Sequence, residues 1–190
     1  MKYKINFSEE DYIRYNVFAS KHLRLGRRSR NITRFSIPFF ALCILLIFIV
    51  SGKDSDLIMI EAAFLAVLSV VWIALTPKMV DSSIRRNIKK AKKDGKIPTF
   101  SEAEIEFRDD DIVEKTQRSV SQVKYEDVEK VYFTKNYIYI FVGVVQAIVI
   151  PRSCLGGDWE KVKQFLTEKK LTVYNEEKNS KESKSRFFRP

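Results

Sequence analysis

Two long apolar stretches dominate the hydrophobic pattern of this chain. Residues 35–50 contain no charged side chain, and residues 57–75 contain only Glu61. A helix needs roughly 20 residues to cross the hydrocarbon core of a bilayer, and about 17 is the lower limit. The first stretch reaches that length when it is extended back to residue 32. The pattern therefore predicts two membrane spans, at about residues 32–50 and 57–75.

A short polar linker, residues 51–56, joins the two stretches and is rich in Ser, Gly and Asp. These residue types form turns, and so short a connection makes two helices antiparallel neighbours. We therefore expect a transmembrane helical hairpin over residues 35–75. The alternative, a hairpin buried inside a soluble helical domain, is disfavoured because such helices normally carry a polar stripe.

Helical periodicity continues on both sides of this hairpin. Before it, Ser8 and Asp11 stand at the spacing of a capping box, which predicts an amphipathic N-terminal helix within residues 1–34. After Pro77, apolar residues recur at helical spacing, and Lys and Arg fill the remaining face until Asp94-Gly95. Residues 77–96 are therefore predicted to form a separate basic amphipathic linker helix, lying on the membrane surface.

From residue 97 onward the pattern changes from helical to alternating. Ala103, Ile105 and Phe107, for example, alternate with glutamates, which is typical of a strand with one wet face. Six such short segments predict a meander that curls into a small barrel or sandwich over residues 97–173. Asp158 is expected to cap a closing helix that runs through Lys170. The polar tail, residues 174–190, is expected to be disordered.

The positive charge of the chain lies beside the apolar pair. The net charge is +10, and residues 1–34 and 77–96 carry the whole excess, while residues 97–173 are slightly acidic. Lys and Arg residues next to membrane spans remain on the cytoplasmic side. We therefore predict a protein of the inner (plasma) membrane whose two termini both lie in the cytoplasm. The predicted membrane-surface site for anionic lipid consists of eleven cations: Arg24, Arg27, Arg28, Arg30, Arg34, Arg85, Arg86, Lys89, Lys90, Lys92 and Lys93.

The sequence contains no recognisable catalytic constellation. There is one histidine, and the two cysteines, Cys43 and Cys154, fall in different regions, so we expect no disulfide, no metal site and no cofactor. The acidic run 109–111 lacks the spaced ligands of a calcium loop and is expected to be a turn. No nucleic-acid motif or base-stacking aromatics accompany the basic residues. We therefore expect neither an enzyme nor a nucleic-acid-binding protein.

Two features inside the second span have alternative interpretations. Glu61 is expected to reach the outer interface, although a carboxylate within a span can also serve an ion pathway or a partner. Ala62, Ala66 and Ser69 place small residues at helical spacing, which allows close helix packing. That packing partner is either the first span or a second copy of the chain, so a homo-oligomer is possible.

The order of several short segments resembles the YcxB-like family of bacterial membrane proteins. The matching pieces are the opening 5–12, the pair of spans, and the later segments 123–128, 137–140 and 147–152. This resemblance implies a C-terminal domain similar to bacterial pleckstrin-homology-like (PH-like) folds, a curled sheet closed by one helix. It implies no catalytic residues. The predicted fold is therefore an α+β membrane protein, with a two-span helical hairpin and a cytoplasmic PH-like domain.

The favoured functional hypothesis is a non-enzymatic membrane protein whose cytoplasmic β-domain binds a partner protein or lipid headgroups. Its basis is the combination of a predicted anchor, basic flanks and a compact β-domain. The alternative is an immunity or stress-protection protein that counters a toxin acting at the membrane. Small two-span proteins often have such roles, but no residue in this chain indicates the toxin.

Overall fold

A computed structural model describes residues 1–95, 102–116, 119–143, 146–169 and 171–176. The chain divides into two compact units. The first, called here the β-rich unit, comprises Met1–Tyr12 and Thr99–Pro190, and the second, the hairpin unit, comprises Ile13–Pro98. Residues 177–190 of the predicted disordered tail and the predicted helix end at Lys170 lie outside the described residues.

Three helices occupy the first half of the chain: α1 (Glu9–His22), α2 (Arg24–Val50) and α3 (Ser55–Lys93). α2 and α3 pack along each other, and the turn between them contains Gly52 with a φ of 68°. The two long apolar helices predicted from the sequence are therefore present. α2 begins at Arg24, so the arginines expected to precede the first span lie on the same helix as its apolar residues.

α3 is a single helix that runs through Pro77, which differs from the prediction of a separate linker helix over 77–96. Proline inside a helix removes one backbone hydrogen bond and costs about 3 kcal/mol. The adjacent turn is held by Thr76, whose hydroxyl donates to the carbonyl of Trp72 at 2.7 Å and whose side chain is buried. The helix ends at Lys93, and Gly95 follows with a φ of 68°, where the sequence predicts a stop.

Among the described residues, eight strands and one α-helix that lies wholly within it form most of the β-rich unit, and the six predicted strands are β2–β7. The strands are β1 (Lys2–Asn6), β2 (Glu102–Phe107), β3 (Asp111–Thr116), β4 (Val120–Lys124), β5 (Val128–Phe133), β6 (Tyr137–Val142), β7 (Gln146–Pro151) and β8 (Val173–Asn175). They form two four-stranded sheets, in the orders β1-β2-β3-β4 and β7-β6-β5-β8. Every neighbouring pair is antiparallel except β5 and β8.

β1 is the element that the sequence prediction missed, because residues 1–34 were assigned to an N-terminal helical segment. Tyr3 pairs with Ile105 and Ile5 with Ala103, so β1 is an edge strand of the first sheet. The hairpin unit is therefore inserted between two strands that are neighbours in one sheet. β8 was missed as well, since the predicted disordered tail begins inside it.

Apolar side chains from both sheets and from α4 (Trp159–Glu168) form one core in the β-rich unit. In β2, alternation buries Ile105 and Phe107, while the three glutamates of this strand are partly or fully exposed. α4 contributes Trp159, Val162 and Leu166 to this core. Asp158 does not cap α4 with its side chain. Its carboxylate instead accepts a hydrogen bond from the Tyr3 hydroxyl at 3.1 Å.

Candidate functional site

The apolar side chains of α2 and α3 remain largely exposed in the folded chain. Among α2 and α3 residues, only Ala41, Thr76 and Ile88 are buried. The exposed residues include Phe35, Phe39, Phe40, Leu46, Ile47, Ile49, Met59, Ile60, Phe64, Val67 and Val70. Both helices are long and apolar enough to cross a membrane. The described fold thus leaves a large apolar surface without a protein partner inside the chain.

Two polar contacts connect the helices near the ends of this apolar surface. The indole Nε1 of Trp72 donates to the carbonyl of Thr33 at 3.0 Å. At the linker end, the Lys53 ammonium lies 3.2 Å from a carboxylate oxygen of Glu61 and 3.7 Å from the ring centroid of Phe48. Glu61 is thus paired with the linker, in agreement with its expected orientation toward that end of the span.

Asp81 on α3 is the centre of an ion network that joins all three helices. Its two carboxylate oxygens lie 2.6 Å from an Arg30 guanidinium nitrogen and 2.8 Å from the Lys21 ammonium. Arg30 also donates to the Ser20 hydroxyl at 3.2 Å. Burial raises the pKa of Asp81, but the hydrogen bonds from Lys21 and Arg30 outweigh it, so the pKa lies below the usual value. Sequence reasoning missed this network, because its members are far apart in the chain.

The structure places Arg30 differently from the other ten residues of the predicted lipid site. Its side chain is 16% exposed and pairs with Asp81, so it stabilises the packing of the three helices. The other ten are exposed: Arg24, Arg27, Arg28, Arg34, Arg85, Arg86, Lys89, Lys90, Lys92 and Lys93. At about 1.5 Å rise per residue, Lys93 lies roughly 24 Å beyond Pro77 along the α3 axis. The eleven residues therefore do not lie at one level of the hairpin.

A close backbone approach at Gly26 forms the joint between α1 and α2. A Cβ atom built on Gly26 would lie 2.5 Å from the Cα atom of Ser20 and 2.7 Å from its carbonyl oxygen. Only glycine fits this distance, because both contacts are with backbone atoms that cannot rotate away. The chain turns at Leu23 between the two helices. The sequence shows a glycine here but gives no indication of its neighbour.

The first turn of α1 is held within the β-rich unit by Asp11. The Ser8 amide and hydroxyl donate to the Asp11 carboxylate at 2.8 and 2.6 Å, and the Asp11 amide donates to the Ser8 hydroxyl at 3.2 Å. This is the predicted capping box, which is confirmed. The other Asp11 oxygen accepts a hydrogen bond from the Tyr137 hydroxyl at 2.6 Å. One side chain thus caps α1 and joins it to β6.

The acidic run 109–111 is a turn followed by the first residue of β3. Asp111 is 9% exposed and accepts a hydrogen bond from the Gln122 side chain. The backbone carbonyl of Asp109 accepts a bond from Lys169 at 2.5 Å. Among the described residues, no group of three His, Cys, Asp or Glu side chains could hold a metal ion. The run is therefore part of the local structure of the sheet.

Glu114 on β3 faces the core side of the first sheet, although it is charged. It pairs directly with Ile105, a core residue, and side chains of directly paired residues share one face of a sheet. Its burial raises the pKa of the carboxyl group. On its other side, Glu114 pairs with Ser121 on β4. Sequence reasoning missed this residue, because the strand pattern does not show which face a mixed segment buries.

Both cysteines, Cys43 and Cys154, are free in the structure. No curated protein and no solved structure matches the chain. A family model does match part of it, from the last residue of β2 to the buried residue Leu166 in α4. That range covers about a third of the chain and lies within the β-rich unit. Over residues 107–166 the chain is similar to the YcxB-like protein family, which confirms the resemblance predicted from the sequence.

Proposed function

We propose that the chain is a non-enzymatic integral membrane protein, in which α2 and α3 cross the bilayer and the β-rich unit is a binding module. One observation carries this proposal, namely that large apolar side chains of both helices stay exposed in the folded chain. Soluble monomers rarely expose apolar patches above a few hundred Å². Hydrocarbon is a suitable environment for such side chains, and helices satisfy their own backbone hydrogen bonds there.

The connectivity of the chain supports two membrane crossings rather than one. The pairing of Ile5 with Ala103 requires that the chain leave the first sheet before α2 and return to it after α3. A protein that crosses a membrane twice satisfies this requirement, whereas one crossing would separate the paired strands. The basic residues at both ends of the hairpin then favour the cytoplasmic side for the β-rich unit.

The basic residues nearest the apolar stretches are proposed to contact anionic headgroups. Arg34 directly precedes the first stretch and Lys78 directly follows Pro77, so both lie at the level where headgroups begin. Each Lys or Arg near such a surface contributes about 1 kcal/mol of binding free energy. Lys89–Lys93 lie more than about 15 Å further along α3, beyond the Debye length of about 8 Å in physiological salt. The headgroup contribution of this distal group is therefore smaller.

The β-rich unit is proposed to have the PH-like fold implied by the family resemblance and to bind a protein partner. Four antiparallel strands, three further antiparallel strands and one helix after the last of them support this assignment. Its carboxylates serve the local structure, as with Asp11 at Tyr137 and Asp158 at Tyr3. A binding role therefore fits the unit better than a catalytic one.

Cysteine labelling in whole cells tests the membrane crossing. Cys43→Ala and Cys154→Ala remove the native thiols, and Ser55→Cys or Asp94→Cys then introduces one thiol at either end of α3. A membrane-impermeant maleimide should label Ser55→Cys in intact cells, and Asp94→Cys only after permeabilisation. Equal labelling of the two variants in intact cells would refute the crossing, and extraction of the protein by carbonate would place it outside the bilayer.

A further inference from the structure

β4 is the most accessible edge of the two sheets. It pairs with β3 on one side only, and four of its five residues are exposed. The side chain of Val120 is 67% exposed, and valine favours the extended backbone of a strand. Sheet edges present unpaired N–H and C=O groups, and natural proteins normally protect them with charges, proline or very short strands.

The hydrogen-bond alternation shows which backbone groups of β4 face outward. The amide of Thr116 donates to Ser119 at 2.8 Å, and the amide of Tyr125 donates to Asp110 at 3.3 Å. Bonding alternates along an antiparallel pair, so the backbone groups of Ser121 and Val123, like those of Ser119 and Tyr125, bond toward the β3 side. The N–H and C=O groups of Val120, Gln122 and Lys124 point away from β3, and no described strand pairs with them.

The other three edges of the described sheets carry more of this protection than β4 does. β1 carries lysines at two of its outward positions, Lys2 and Lys4. β7 ends at Pro151, which is buried and has no N–H to offer. β8 has three residues. β4 carries one charged residue, Lys124, at the end of the strand.

The charges beside this edge differ between its two faces. On the outer face, Lys124 lies at one end of β4, and Lys115 of β3 pairs with Val120 at the other. Facing the core side, Glu114 pairs with Ser121. No described residue forms a hydrogen bond or an ion pair with the Glu114 carboxylate. A strand added beside β4 would thus meet lysines on one face and a glutamate on the other.

We propose that β4 binds an extended segment of a partner protein as an added antiparallel strand, with an acidic side chain opposite Lys124 and a basic one opposite Ser121. The basic side chain would reach Glu114, two strands or about 10 Å from the added backbone. The added strand would pair with the outward groups of Val120, Gln122 and Lys124. This proposal rests on the partner-binding role proposed for the β-rich unit and is independent of the membrane crossing.

The register gives a short pattern for the partner segment. The partner segment, read from its N-terminus, has its acidic residue opposite Lys124. Its basic residue follows three positions later, opposite Ser121, and the next residue is apolar and lies opposite Val120. A second copy of β4 does not satisfy this pattern, because a copy centred on Gln122 would place Val120 opposite Lys124 and bring a third lysine near Lys115. The charges therefore favour a partner protein over self-association.

Fluorescence anisotropy with two synthetic peptides tests the proposal on the full chain in detergent micelles. The first peptide, Thr-Glu-Val-Thr-Lys-Ile-Thr, carries the two charges in the inferred positions. The second, Thr-Lys-Val-Thr-Glu-Ile-Thr, has the same composition with the charges exchanged. Two favourable cross-strand pairs replaced by two unfavourable ones should weaken binding about tenfold. Equal dissociation constants, or no binding of either peptide at 1 mM (a concentration on the order of the weakest peptide complexes), would overturn the proposal.

A pair of variants at one position separates strand addition from other modes of binding. Gln122→Pro removes an outward N–H without touching the bonds to β3, and loss of this one hydrogen bond should weaken binding up to about tenfold. Gln122→Ala removes the same side-chain contact with Asp111 but keeps the N–H, and should bind like the parent. Circular dichroism before and after heating confirms that both variants are folded. Equal binding by the two folded variants would contradict an added strand.

Charge variants identify the residues that set the preference. Glu114→Gln should reduce the preference for the first peptide about threefold, since it removes one of two cross-strand pairs, and Lys124→Glu should reduce it about tenfold, since it reverses the other pair. Lys135→Glu, in the turn after β5, is the matched control and should leave the preference unchanged. Analytical ultracentrifugation tests whether a second copy of the chain occupies β4 instead. The proposal would be overturned in favour of a second copy if the chain formed a dimer that Gln122→Pro dissociates and bound the two peptides equally.

Discussion

The β-rich unit and the hairpin unit treat their apolar side chains in opposite ways. In the β-rich unit, alternation places isoleucines, valines and aromatic residues in a closed core, with Ile112, Val131 and Val162 fully buried. In the hairpin unit, long apolar residues point outward over most of the length of α2 and α3. A core of its own stabilises the first unit in water, whereas the second leaves its apolar side chains exposed, and the environment we propose for them is the bilayer.

The largest expected effect tests this difference directly. Trp159 is 2% exposed and belongs to the core, so Trp159→Ala should lower the free energy of unfolding of the β-rich unit by about 3–5 kcal/mol. Phe64→Ala removes an aromatic ring that is 68% exposed on α3 and should change the same free energy of unfolding by less than about 0.5 kcal/mol. Near-ultraviolet circular dichroism during denaturant unfolding in detergent measures both. Similar losses would remove the contrast between the units.

The joint at Gly26 should be the most sensitive position of the hairpin unit. Gly26→Ala places a methyl group 2.5 Å from a backbone atom of Ser20, so α1 and α2 must separate, at a cost of about 1–3 kcal/mol. Gly157→Ala is the control, since a Cβ there meets no atom within 4 Å. Limited proteolysis between α1 and α2 should be faster in Gly26→Ala alone. Resistance equal to that of the control would contradict the close approach.

Asp81 and Glu114 should show opposite pH dependence, and the effect at Asp81 should be the larger. The pKa of Asp81 is lowered in the folded chain, so its contribution to stability is present above its pKa in the unfolded chain and is lost as pH falls through the folded value. Asp81→Asn should cost about 1–2 kcal/mol at pH 7 and flatten the acid side of the stability profile. Asp56→Asn, in the exposed first turn of α3, is the control. If Asp81→Asn left the pH dependence of stability unchanged, the ion network could not be the cause of the loss of stability in acid.

Glu114 gives the smallest effect, with the opposite sign. Burial raises its pKa in the folded chain, so its contribution is greatest at low pH and falls as pH rises through the folded value. Glu114→Gln should therefore stabilise the β-rich unit at neutral pH, by less than about 1 kcal/mol, and remove this decline. Thermal unfolding from pH 4 to pH 8 measures it. Destabilisation at pH 7 would show that the carboxylate has a partner in the folded chain.

The local features of both units could be predicted from the sequence because their signals are local. Two apolar stretches of about the length of a bilayer span gave the helices, and Ser8 with Asp11 gave the capping box. Period-two alternation gave β2–β7. Each of these signals lies within one continuous segment of the chain.

The features that were missed depend on residues far apart in the chain. Lys2 pairs with Glu106, across a separation that no five-residue pattern reveals. The network of Lys21, Arg30 and Asp81 likewise appears only after α2 and α3 fold back on each other. Pro77 misled the prediction for a different reason, because packing along α2 can outweigh its intrinsic helix-breaking cost.

The position of β1 has a consequence for how the protein is made. This strand is synthesised before α2 and α3, but its partner β2 follows only after both of them. The first sheet therefore closes late, over a large sequence separation, which is the slow kind of folding step. On the proposed two-crossing topology, insertion of only one helix would leave β1 and β2 on opposite sides of the membrane, where they could not pair. Closure of the sheet would thus exclude insertion of a single helix.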